Sequence, residues 1–63
     1  MNRTAVFTRP FTRSVGDEAP MTLAQAGESL TVIGPSQLSP SLWEIRLSDG
    51  SRHDATEDEF KFT

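Results

Sequence analysis

The sequence predicts an all-β domain, and three observations carry that expectation. Residues 42–48 alternate cleanly: Trp43, Ile45 and Leu47 lie on one face of a strand, with Glu44, Arg46 and Ser48 on the other. Asp49-Gly50 follows at once and supplies the residues a tight turn needs, so the chain reverses there. A second run rich in β-branched residues, 28–34, lies upstream, between Gly27 and a breaker-rich segment at 34–41.

The remaining elements follow in chain order. Residues 4–12 read as a first strand, rich in Thr, Val and Phe. Ala5, Phe7, Arg9 and Phe11 form one face and Thr4, Val6, Thr8 and Pro10 the other; the phenylalanine face is expected to point inward. Pro10 has no N–H to give a ladder, so the strand is an edge there or is interrupted. Residues 14–20 form a loop by composition. Residues 21–27 suit either one helical turn ended by Gly27 or an extended segment with Gly27 at a turn, and they are too few to hold a helix unaided. In strand 28–34, Leu30 and Val32 face one way and Thr31 and Ile33 the other.

The turn after residue 48 admits two registers. A two-residue loop sets Arg52 beside Leu47 and Asp54 beside Ile45, which places two charges on the apolar face at high cost. A three-residue loop, Ser48-Asp49-Gly50 with Gly50 as a bulge, sets Ser51, His53 and Ala55 opposite Leu47, Ile45 and Trp43. Arg52 and Asp54 then turn to solvent. The second register is favoured, because a one-residue slip inverts every side chain. Thr56-Glu57-Asp58-Glu59 has the spacing of a capping box and predicts one short helical turn at 56–59. Residues 60–62 make a short last strand. The expected core is Leu30, Val32, Trp43, Ile45, Leu47 and Phe60.

The chain has 63 residues, which bounds it to one domain spanning residues 1–63. A domain of this size buries roughly 60% of its unfolded surface, so its stability margin is thin, and a partner surface or self-association would relieve the shortage. There is no cysteine. That excludes disulfides, thiolate metal ligands and a cysteine nucleophile, and it favours a reducing compartment. No apolar run approaches a membrane span and no signal-peptide core is present, so a soluble cytoplasmic protein is expected, with no membrane partner. The net charge is −3, and all of it resides in residues 32–63. An acidic balance disfavours general binding to phosphate backbones.

This order of elements resembles the small SH3-like β-barrel. Residues 27–60 carry the resemblance: Ser-Leu-Thr-Val-Ile, a Gly/Pro/Ser loop, Trp-Glu-Ile-Arg-Leu-Ser-Asp-Gly, and Glu-Asp-Glu-Phe near the end. Tudor-like and KOW-like bacterial modules share the aromatic-initiated strand running into Asp-Gly. The resemblance implies a partly open barrel of about five strands and a tendency to bind a partner. It carries over no catalytic residue, and the first 26 residues lie outside it.

Candidate chemistry is sparse. His53 is the one histidine. Asp54 is adjacent but points to the opposite face of its strand, so the two make no dyad; a half-buried structural histidine is the simpler expectation, and His53 near Asp49 is the enzymatic alternative. Asp54, Glu57, Asp58 and Glu59 lack the spacing of a cation loop, and no metal or cofactor is implied. The same acids suit a docking surface for a basic partner. Trp43 with Phe7, Phe11, Phe60 and Phe62 packs a core or lines an exposed patch, and patches mark interfaces. Arg9 and Arg13 interleave with Phe7 and Phe11, a pattern able to grip a nucleic acid, although ordinary solvated or edge-guarding charge is the favoured reading of the arginines given the acidic remainder. The isolated glycines form no phosphate loop.

The sequence therefore points to a small non-catalytic interaction or assembly module. It is expected to bind a protein partner or itself through an edge strand and an aromatic patch, with Phe7, Arg9, Phe11, Arg13 and Trp43 as interaction residues. A nucleic-acid-binding barrel and an oligomer with a shared active site are the alternatives.

Overall fold

A computed structural model describes residues 2–14 and 16–63, so Val15 of the expected loop at 14–20 lies outside the described residues. Among the described residues the chain forms seven strands and no helix. These are β1 (Arg3–Phe7), β2 (Phe11–Arg13), β3 (Met21–Ala24), β4 (Ser29–Pro35), β5 (Trp43–Arg46), β6 (Arg52–Ala55) and β7 (Phe60–Phe62). Five make one antiparallel sheet in the order β6-β5-β4-β1-β7; β2 and β3 pair as a separate ribbon. The larger sheet is not closed by hydrogen bonds and keeps β6 and β7 as its edges.

The 4–12 strand breaks at Thr8-Arg9-Pro10. Pro10 cannot extend a ladder, and the chain uses the interruption to leave the sheet and enter the ribbon. Residues 21–24 are extended, because β2 offers them a partner that a lone helical turn would lack. Gly27, at φ 88°, turns the chain back toward β4, and its N–H donates to the Phe7 carbonyl at 2.8 Å.

The β5–β6 register is the one favoured by charge placement. Ile45 lies opposite His53 and Trp43 opposite Ala55. Leu47 closes the loop: its N–H donates to Ser51 C=O at 2.9 Å, and its C=O accepts from the Gly50 N–H at 2.9 Å. Gly50 sits at φ 90°, a conformation that disfavours any residue with a Cβ. A Cβ there would meet no neighbouring atom, so the backbone angle alone sets the cost. Gly50→Ala should lower stability by about 1–2 kcal/mol in urea unfolding, and Gly50→Asn by less. Equal midpoints for wild type and Gly50→Ala would contradict the left-handed turn.

The core lies between the concave face of the large sheet and the ribbon. It comprises Ala5, Phe7, Phe11, Ala24, Leu30, Val32, Ile45, Leu47, Ala55 and Phe60. Five of the six expected core residues are buried; Trp43 is half-buried and packs against the cluster from outside. The 56–59 segment makes one turn, with the Glu59 N–H donating to the Thr56 C=O at 3.0 Å, and it does not develop into a helix. Half of the capping box forms: Glu59 Oε1 accepts from the Thr56 N–H at 3.0 Å.

Candidate interaction surface

The residues expected to interact separate into three groups. Phe7 and Phe11 are 2% and 1% exposed. Their rings stack on each other with centroids 4.9 Å apart, and Phe11 also meets His53 edge-on at 5.7 Å. To stack on a base, either ring would have to leave the core.

Arg9 and Arg13 both face carboxylates. Arg9 meets Asp58 at 3.4 Å in an exposed pair, of the kind that contributes little stability. Arg13 is far more constrained. Its guanidinium takes both oxygens of Glu59, at 3.0 and 3.2 Å, and lies 4.2 Å from the Phe11 ring centroid. It also donates to the Asp54 carbonyl at 2.8 Å. In an antiparallel pair, alternate residues point their N–H and C=O groups away from the partner. Counting from the bonded pair Leu47–Ser51, Arg52 and Asp54 on β6 point outward. Arg13 thus covers part of the β6 edge, one way of blunting edge-to-edge pairing.

Trp43 belongs to a third group. It meets Phe62 edge-on at 6.2 Å, and Phe62 meets Phe60 at 5.5 Å. Trp43 is on β5 and Phe62 on β7, strands that are not neighbours in the sheet. Side chains therefore span the concave face where backbone bonds leave it open. The Arg3 guanidinium lies 4.1 Å from the Phe62 centroid, a cation–π contact. Arg3 completes a patch for which the sequence offered the aromatics Trp43 and Phe62 but not the cation. The available signal was parity, since Arg3 shares a strand face with Ala5 and Phe7.

The patch adjoins the β7 edge. Bonds from the Thr8 N–H to Glu59 C=O and from the Thr63 N–H to Thr4 C=O set the β1–β7 alternation. By that alternation, Phe60 and Phe62 direct their backbone groups outward. No side chain of the described residues bonds to them, in contrast to Asp54 on β6.

His53 is half-buried and bonds through Nε2 to Ser51 Oγ at 3.1 Å. Ser51 Oγ donates its proton to Asp49 at 2.6 Å. Ser51 Oγ thus directs its proton at Asp49, and not at His53 as an activated nucleophile would. The Ser51 hydroxyl, then the Ser51 backbone N–H, hold the exposed Asp49 carboxyl below the usual range. A groove of about 270 Å³ borders His53, between the 36–42 loop and the β5–β6 edge. Its cation, Arg52, is already bonded to Glu44 at 3.2 Å. Among the described residues no three His, Asp or Glu side chains gather as a cation site requires, and no helix is long and apolar enough to cross a membrane.

Comparisons with protein-family models, curated proteins and solved structures gave no match to this chain.

Proposed function

We propose that this chain is a small non-catalytic interaction module that takes an extended segment of a partner protein along the β7 edge. The observation that carries this reading is the outward-facing backbone of Phe60 and Phe62 beside the Arg3–Phe62–Trp43 patch. An added strand would gain main-chain hydrogen bonds from the edge, and its side chains would meet the aromatic rings. The net charge of −3, with Glu57 outside any ion pair among the described residues in the turn that precedes β7, favours a basic segment. The strand order β6-β5-β4-β1-β7, with the ribbon inserted between β1 and β4, supports an SH3-like architecture. A cysteine-free chain suits a reducing compartment such as the cytoplasm.

The test is an amide NMR titration with a short alternating Lys–Val peptide, alongside light scattering over a tenfold concentration range. Saturable shifts at residues 60–63 and at the Trp43 indole are expected, with the chain itself remaining monomeric. Trp43→Ala should weaken binding severalfold. Shifts at 60–63 that appear on concentration alone, with a doubled mass, would assign the edge to a second copy. A monomer whose residues 60–63 never respond would sink the proposal.

A further inference from the structure

The convex face of the large sheet carries a second feature, independent of the β7 edge. One rung across it runs Arg52, Arg46, Thr31, Thr4 on β6, β5, β4 and β1. A groove of about 220 Å³ opens here, lined by Thr4, Ser29, Leu30, Thr31, Arg46, Leu47 and Ser48. Leu30 and Leu47 also belong to the buried core. Its lining residues bring one guanidinium and four hydroxyls to the groove and no carboxylate, beside a larger share of apolar surface.

The charge there is unanswered. Arg9, Arg13 and Arg52 each pair with a carboxylate, and Arg3 rests on Phe62. Arg46 is half-buried and makes no ion pair or side-chain hydrogen bond among the described residues. It also sits directly opposite Arg52, and like charges in that position repel. Glu44, the carboxylate on the same face of β5, is bonded to Arg52. An acidic chain thus leaves Arg46, beside this groove, with neither an acid nor a ring to rest on among the described residues.

We propose that this groove binds a phosphate group, free or as a small monoester. A guanidinium fork takes two oxygens of a carboxylate or a phosphate in parallel. A carboxylate has about four lone-pair positions in all, so the fork leaves it few for further donors. The hydroxyls of Thr4, Ser29, Thr31 and Ser48 supply more than that, and a tetrahedral oxyanion uses them. A polymeric polyanion fits poorly, because the chain's net charge of −3 repels its remaining phosphates.

The experiment is an amide NMR titration of the full chain at constant ionic strength, exchanging chloride for inorganic phosphate, with glycerol phosphate and acetate as parallel arms. Saturable shifts are expected at residues 29–31 and 46–48 with phosphate, and weaker ones with acetate. Tighter binding of glycerol phosphate would identify a monoester as the ligand; equal binding would identify free phosphate. Arg46→Gln should weaken the response at least tenfold and Thr31→Val severalfold, whereas Arg52→Gln should leave it intact. Arg46→Lys keeps the charge without the fork and should retain only part of the affinity; it also serves if Arg46→Gln fails to fold. Shifts that never saturate, or that persist unchanged in both Arg46 variants, would overturn the site. A single-stranded oligonucleotide that binds the same residues more tightly than phosphate would overturn the small-anion assignment.

Discussion

Phe11→Ala should leave most of the chain unfolded at 25 °C. The ring is 1% exposed and is held on three sides: stacked on Phe7, edge-on to His53, and covered by the Arg13 guanidinium. Truncating a buried phenylalanine costs about 3–5 kcal/mol, through lost transfer energy and the cavity left behind. A core of this size rarely supplies more than about 3–5 kcal/mol in total. The loss therefore approaches the whole stability of the domain. Phe11 also links the ribbon to the sheet, through Phe7 and His53. Urea unfolding followed by Trp43 fluorescence measures the effect, and Phe11→Leu should stay folded because it keeps most of the volume. A folded Phe11→Ala with an unchanged midpoint would place the ring outside the core and restore its availability for stacking on a base.

The second large effect lies at Arg13 and Glu59. Arg13 joins β2 to the 56–59 turn through two bonds to Glu59, and to the β6 edge through the Asp54 carbonyl. The Glu59 side chain is 13% exposed and that of Arg13 35%. Arg13→Ala leaves a largely buried carboxylate without its cation and a carbonyl without its donor. Bonds to charged groups contribute about 1.5–3 kcal/mol each when buried. Partial exposure reduces that, so a loss of roughly 2 kcal/mol is expected.

Acid should act at the same place. Burial raises the Glu59 carboxyl pKa, but the hydrogen bonds from Arg13 and Thr56 and the Arg13 charge outweigh it and hold it below the ordinary glutamate value. A carboxyl whose folded pKa is depressed stabilises the fold above its unfolded pKa, near 4.3, and that stability disappears as pH falls through the folded pKa. Wild type should therefore lose thermal stability below about pH 4. Glu59→Gln should start lower at neutral pH and lose less on acidification. Asp49 and Asp58 are shifted in the same direction, the first by Ser51 and the second by Thr56 and then Arg9, so some acid sensitivity remains in the variant. Identical acid profiles for the two proteins would remove Glu59 from this role.

Arg13 also shows how far a sequence pattern reaches. Arg9 and Arg13 interleave with Phe7 and Phe11, and that spacing is compatible with a nucleic-acid grip. Nothing local reveals that Glu59, 46 positions away, takes the guanidinium. Nor does spacing reveal that both rings are consumed in packing.

The sequence by itself determined whatever depends on neighbours along the chain. The 42–55 hairpin is the clearest case: Trp43, Ile45 and Leu47 need one face, and only one loop length keeps Arg52 and Asp54 off that face. The half capping box at Thr56 and Glu59 is equally local. Tertiary structure decided the rest. Residues 21–24 carry a single β-branched side chain and become a strand because β2 supplies a ladder. The break at Pro10 becomes a crossing between sheets because Phe11 finds its burial against Phe7 from the ribbon side. Trp43 meets Phe62 because the sheet curls until non-adjacent strands touch. Alternation reports which face a side chain takes within its own strand; which strand it then meets depends on contacts made across the whole chain.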